Sequence, residues 1–454
     1  MTRPPMPDHR PDHVPFWQHL AMFRRDILST QPARLYRAKM AEVKLPFLHS
    51  VMVNTPDLVH LVLQDRASDF PKSERVREGL RLLLGNSVFV TNDAIWERQR
   101  RMIDPAFEGG RLRDTFPAMW QAAQSCAERL KGGTQEIEQA MSHAAADVIF
   151  RALFSLPIED ETAAQVYRTF QAHQRSAPIL NMAALVPMSR RIPRFFPRQT
   201  RETAAQIRAL ITQMTAARMQ AIQDGTAPDD LATKIMTTRD PETGEAFSTD
   251  EMVDQVAIFF LAGHETSASA LAWTLYLIAT HPQWQEQLAT EAKALLPYTE
   301  SAQQPEFSLL KHFPLIRDTF REALRLYPPV PMMVRESTRP ERFRNRDLGA
   351  GTQVIVSPWH MGRNENIWRD PHDFRPERWQ DPDNKVCMRD AFIPFSAGPR
   401  VCTGAGFAMA EAVLILARLL CSWRFEPVAG RVPVPMAQMT VRARDGIWLE
   451  LHAR

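Results

Sequence analysis

Phe395-Ser396-Ala397-Gly398-Pro399-Arg400-Val401-Cys402-Thr403-Gly404 is the stretch on which the reading of this chain turns. A lone cysteine is usually a small buried hydrophobe, and that reading suits Cys126, Cys387 and Cys421. Cys402 differs by its company. Gly398 and Gly404 carry no Cβ, so backbone there can lie close to a flat ligand. A helix-forming run, Phe407-Ala408-Met409-Ala410-Glu411-Ala412-Val413-Leu414, begins just after the cysteine. Its free N–H groups and positive dipole end can stabilise a sulfur anion. Arg400 offers a planar guanidinium to a carboxylate at the edge of that ligand, and Phe395 covers the sulfur face. The run therefore predicts a thiolate, Cys402, ligating haem iron.

The pattern Phe-x-x-Gly-x-Arg-x-Cys-x-Gly resembles the signature of the haem-thiolate monooxygenases, the cytochrome P-450 family, in which cysteine ligation pushes electron density toward O–O cleavage. The resemblance implies haem b as cofactor, a mainly α fold with small β sheets (the cytochrome P-450 fold), and insertion of one atom of dioxygen into a C–H bond.

Other marks of the family stand upstream. Ser248-Thr249-Asp250-Glu251 reads as a capping box, and the segment from Met252 to Thr280 runs without proline to His281-Pro282. Its apolar part, Val256 to Ala279, is long enough to raise a membrane span. His264, Glu265 and Thr266 near its middle are expensive in lipid and favour a helix buried in a large core. Ala262-Gly263-His264-Glu265-Thr266 resembles the acid–alcohol motif of the family's central helix. There the two small residues let ligand and haem approach, Thr266 hydrogen-bonds the dioxygen, and Glu265 relays protons. Read alone, Thr266 would bond back to its own i−4 carbonyl and Glu265 would be a solvated charge.

Glu322-Ala323-Leu324-Arg325 lies on a second helix, Phe313 to Leu326, and Phe374-Arg375-Pro376-Glu377-Arg378-Trp379 follows. By itself a Glu and Arg three apart form a surface pair. By resemblance, Glu322, Arg325 and Arg378 form a buried ionic triad that serves structure and haem retention. Trp96 and Arg100 share a helix face, which in the family touches the haem propionates, and Arg335 stands where a further propionate-binding arginine is expected. Gly362 departs from the family's usual histidine before Arg363, so local packing there is expected to differ.

With 454 residues and no Gly/Ser linker, charge block or repeat, the chain reads as one domain, 1–454. Helical periods dominate, as in Ala122 to Leu130, Thr203 to Met219 and Phe407 to Trp423. Strand-like runs are short, as in Val51 to Val53 and Val354 to Val356. Met1 to His13 is Pro-rich and charged, with neither an apolar signal core nor an anchor helix, which predicts a cytoplasmic protein without a transmembrane anchor. Four cysteines, one committed to iron, suit a reducing compartment.

A net charge of +3 does not point to nucleic acid. Arg98, Arg100, Arg101, Arg111 and Arg113 cluster around Trp96, on what is in the family the electron-donor side. Electrons are expected from a separate ferredoxin and ferredoxin reductase, an acidic donor meeting a basic face. A second basic cluster, Arg190 to Arg198, suits a membrane surface or an acidic substrate if it is not simply solvated. The candidate substrate walls, Leu82 to Val90, Ile179 to Met188, Phe259 to Ala262, Val330 to Val334 and Pro435 to Met439, are apolar and several carry Met. They predict a hydrophobic guest such as a fatty acid, terpenoid or steroid-like compound. The rival readings are a peroxide-driven haem-thiolate enzyme, against which Thr266 argues, and a haem-binding sensor or carrier, which has no use for a proton relay.

Overall fold

Ser248 caps the longest helix through the reciprocal bonds that the sequence predicts. Its Oγ accepts from Glu251 N at 3.3 Å, and Glu251 Oε2 accepts from Ser248 N at 2.9 Å. The computed structural model describes residues 3–45, 48–176, 196–296 and 305–454. In chain order its main helices are α1 (Phe16–Arg25), α2 (Glu74–Leu84), α3 (Asp93–Ile103), α4 (Gly109–Arg129), α5 (Ile137–Phe154) and α6 (Glu161–Ser176). They continue with α7 (Arg198–Gln223), α8 (Leu231–Thr237), α9 (Thr249–Ala279), α10 (Pro282–Leu295), α11 (Pro314–Leu326) and α12 (Ala405–Ser422).

α9 is apolar on nearly every side, and such a helix must be surrounded. It is packed against α5, α7 and α11, while α4 bridges α5 and α12. Gly263 sets how closely α5 can come. A Cβ there would lie 2.3 Å from Ile149 Cδ1, so this glycine is needed for helix–helix approach. Among the described residues, α12 is the one helix long and apolar enough to cross a membrane by length and composition, and 67% of that stretch is buried inside the fold.

The strands are short. β1 (Met40–Leu45) pairs antiparallel with β2 (Leu48–Val53). β3 (Gly133–Glu136) lies far along the chain from its partners, β4 is Met333–Glu336 and β5 Gln353–Val356. β6 (Trp423–Pro427), β7 (Pro435–Ala437), β8 (Val441–Ala443) and β9 (Trp448–Ala453) close the chain. The two apolar runs picked out from sequence meet each other: β2 and β5 pair parallel, Val51 opposite Val354, in a sheet of order β1-β2-β5-β4. β9 sits between β3 and β6, and β7 pairs with β8. The architecture is mainly α with small β sheets, as expected.

The ionic triad forms in full. Arg325 Nε and Nη2 donate to the two oxygens of Glu322 at 2.9 and 2.8 Å, and Arg378 Nε donates to Glu322 Oε1 at 2.9 Å. Trp379 Nε1 and the backbone N of Arg375 add two further donors. The guanidinium of Arg325 spends its remaining hydrogens on the carbonyls of Gly362, Pro371 and Asp373. The departure at Gly362 is explained here: a Cβ would lie 2.3 Å from Arg325 O, so the chain passes α11 too closely for any side chain.

Candidate active site

Cys402 lies between the short turn Gly398–Arg400 and the start of α12. Its N donates to Phe395 O at 2.8 Å, which closes the loop and aims the side chain inward. Cys402 is solvent-accessible, yet desolvation pushes its thiol above the usual range, so the sulfur sits in a recess and not on an open surface. A backbone hydrogen bond from Gly404 and the charges of Arg100 and Lys72 act the other way, toward thiolate.

The glycines divide their work. Gly404 leaves Cys402 Sγ at 4.0 Å from where a Cβ would stand, so it keeps the space beside the sulfur clear. Gly398 has φ +67° and its Cβ would lie 2.0 Å from Leu63 O. It is required by the backbone of the segment 61–65 passing beneath it.

Cations gather beside the thiol. Arg400 stacks its guanidinium 4.1 Å from the centre of the Trp96 ring and donates to Thr91 O and Asn92 Oδ1 at 3.1 and 2.8 Å. Arg100 donates to Val401 O at 2.9 Å and to Thr403 Oγ1 at 2.6 Å, with Asp104 2.8 Å from its Nε. Arg335 on β4 is 5% exposed, and the only hydrogen bond of its guanidinium among the described residues is a long one to Val334 O at 3.4 Å. Desolvation brings its pKa down to about 10, still far above neutrality.

Sequence reasoning missed a fourth cation, Lys72. It pairs by backbone across from Arg335, and its ammonium bonds Phe89 O. Burial first, then the charges of Arg335 and Arg400, push that ammonium well below the ordinary lysine range. A site that crowds Lys72, Arg335 and Arg400 together and gives Arg335 no carboxylate is short of negative charge. The two propionates of a haem supply that charge in the chemistry these donors suit, so the residues present fit the group.

On the opposite wall, α9 is buried except along one stripe. Ala262 is exposed and Phe259, Gly263 and Thr266 are partly so, at spacings of three and four residues that define a single face. Thr266 Oγ1 bonds back to Ala262 O, the local reading of that residue. Glu265 points elsewhere. It is 5% exposed, and its carboxylate accepts from Gln174 Nε2 at 3.0 Å, from Thr440 Oγ1 at 2.6 Å and from Arg442. The structure thus places Thr266 on the accessible stripe and Glu265 in a tie between the end of α6 and the residues around β8.

Behind Thr266 lies a buried acid. Glu411 on α12 is 1% exposed, its Oε2 accepts from Ser267 Oγ at 3.1 Å, and its Oε1 has no partner among the described residues. Burial pushes its carboxyl up to about 8. The folded state therefore holds a proton that the unfolded chain releases near 4.5, so the stability this group contributes is complete below about pH 4.5 and is lost as pH rises through about 8. Glu411→Gln is expected to flatten that decline, on the order of 1 kcal/mol per pH unit across the window. Urea unfolding of both proteins from pH 5 to pH 9 measures it, and parallel curves would remove Glu411 as the cause.

The predicted basic face is largely neutralised. Arg98 pairs with Glu251 at 2.7 Å and Arg101 with Asp240 at 2.8 Å, which leaves Arg111 and Arg113 exposed. The wall Ile179 to Met188 lies outside the described residues, as does the second basic cluster up to residue 195. Its last member, Arg198, pairs with Glu202 at 2.7 Å.

Comparison with known proteins agrees with this geometry. The family description "Cytochrome P450" matches residues 9–448. The chain is 30% identical over 429 residues to cyclooctat-9-en-7-ol 5-monooxygenase of Streptomyces melanosporofaciens, covering 92% of this chain and 90% of that protein. It is 28% identical to cyclooctatin synthase of the same organism, covering 95% and 93%. With 11-oxo-beta-amyrin 30-oxidase of Glycyrrhiza uralensis the identity is 27%, covering 88% of this chain and 78% of that protein.

Proposed function

The chain belongs to the cytochrome P450 family, whose members hold haem b through a cysteine thiolate and act as monooxygenases, and from that premise we propose that it hydroxylates a hydrophobic, terpenoid-like substrate with electrons from a separate ferredoxin and its reductase. The observation that carries this reading is the accessible Cys402 beside Lys72 and Arg335, neither of which pairs with a carboxylate among the described residues.

We assign Cys402 to the iron, with Phe395 beside it, and Lys72, Trp96, Arg100, Arg335 and Arg400 to the cradle of the propionates. Haem b bound there supplies the activation of dioxygen. Thr266 Oγ1, on the accessible stripe of α9, holds the proton nearest the reaction and donates it by turning from Ala262 O. Glu265 feeds that relay only from a rotamer that has left Arg442 and Thr440. In its observed position it holds the end of α6 to α9.

The substrate class rests on the apolar stripe Phe259 and Ala262, on the apolar wall segments, and on relatives whose names specify oxidation of cyclooctat-9-en-7-ol and 11-oxo-beta-amyrin. The ferredoxin rests on Arg111 and Arg113, the exposed remainder of the basic face.

Turnover with a surrogate ferredoxin system tests the assignment. Thr266→Ala is expected to keep consuming electrons while product per electron pair falls by roughly tenfold or more, the scale of a lost proton donor. Unchanged coupling would take Thr266 out of the mechanism, and failure of the wild type to yield oxidised product from any apolar compound would leave a haem carrier instead.

A further inference from the structure

Arg363, which follows Gly362, is fully buried at 0% exposure. Its guanidinium lies 3.8 Å from the centre of the Trp359 ring and 5.0 Å from that of Tyr327. None of its three side-chain nitrogens meets good hydrogen-bond geometry with a partner among the described residues, and the Tyr327 hydroxyl is the one acceptor near enough to interact with it. Three histidines share the neighbourhood: the rings of His9, His360 and His372 lie 5.4, 5.1 and 5.4 Å from that of Tyr36. His9 Nδ1, His360 Nε2 and His372 Nδ1 are likewise buried and unpartnered.

The opposite ends of the His360 and His372 imidazoles are engaged. His360 Nδ1 meets Ser357 Oγ at 2.9 Å and His372 Nε2 faces Glu365 at 3.5 Å. The N-terminal segment is fastened here, with Tyr327 Oη donating to Pro5 O at 2.7 Å.

A buried, unpaired guanidinium is costly, and two aromatic faces offset only part of that cost. Buried polar atoms without well-placed partners are rare enough that each requires an explanation, and here six stand in one cluster around Tyr36, Tyr327 and Trp359. Their chemistry is that of donors: a guanidinium has no acceptor, and a neutral imidazole can present an N–H from its free nitrogen. Burial and the charge of Arg363 keep the three imidazoles neutral. A metal cation is disfavoured by Arg363, and among the described residues no group of His, Cys, Asp or Glu is arranged to hold one.

We propose that Arg363, His9, His360 and His372 form a binding site for one small monovalent anion, of halide size, which fastens the N-terminal segment to the fold. The site is independent of the thiol and of the reaction assigned above.

The test uses the wild-type holoenzyme. Crystals soaked in bromide are expected to show an anomalous peak at the Arg363 guanidinium. In solution, at fixed ionic strength, the unfolding midpoint is expected to climb with the logarithm of chloride when chloride replaces gluconate. That climb is expected to vanish in Arg363→Met and to weaken in His9→Ala, which removes one imidazole and leaves the buried cation in place. Water alone at Arg363 in the bromide crystals, or a midpoint indifferent to which anion is present, overturns the proposal.

Discussion

Glu322→Ala is expected to leave the chain unable to accumulate as a haem-loaded protein. Glu322 is 0% exposed and accepts five hydrogen bonds, from Arg325, Arg378, Trp379 and the backbone of Arg375. Removing it strands two guanidiniums in the interior, a change that costs about 3–5 kcal/mol. Against a total stability of about 5–15 kcal/mol, that is enough to unfold a marginal domain. The measurement is the unfolding midpoint with the ratio of haem absorbance to protein in the same preparation. Glu377→Gln is the control. Glu377 pairs with Arg375 at the surface, and its loss should leave both readings unchanged. A folded, haem-loaded Glu322→Ala protein would sink the structural role given to the triad.

Cys402→Ser is expected to abolish turnover while sparing the fold. The side chain is accessible and its sulfur supports no hydrophobic packing, so exchange for oxygen removes little stability. What it removes is the soft anionic ligand on which thiolate chemistry depends. The reduced, carbon monoxide-bound wild type should show a strongly red-shifted Soret band, and the variant a normal haem band with product at background. A red-shifted band surviving in the variant would mean that another residue is the ligand.

The loop around Cys402, the capping box of α9 and the Glu322 triad were legible because each is written in a few neighbouring residues, or in two segments of distinctive spacing. What was not legible depends on distant partners. The five arginines near Trp96 read as a basic face, but Glu251 and Asp240, the partners of Arg98 and Arg101, lie far along the chain. Lys72 follows a proline in an ordinary surface-like run, and only its pairing with Arg335 brings it to the site. Glycines were half legible for the same reason. A sequence shows that a Cβ is missing at Gly263 and Gly398, and the fold adds that Ile149 and the Leu63 carbonyl lie where that Cβ would stand. Glu265 was read beside Thr266, yet adjacent residues on a helix point about 100° apart, since a turn takes about 3.6 residues.

The groups around the Cys402 sulfur come from Lys72, Trp96, Arg100, Arg335 and Arg400, and the strand that closes the β3-β9-β6 sheet is the last in the chain. A ribosome adding about 5–20 residues per second needs roughly 20–60 s to travel from the first of these residues to the last. For that interval the emerging chain carries cations awaiting a partner, and α9, once made, has α5 and α7 but not yet α11 or α12 to cover it. Cofactor capture is thus one of the last events in the life of the nascent protein, and a chain cut short before Cys402 retains no part of the site able to act alone.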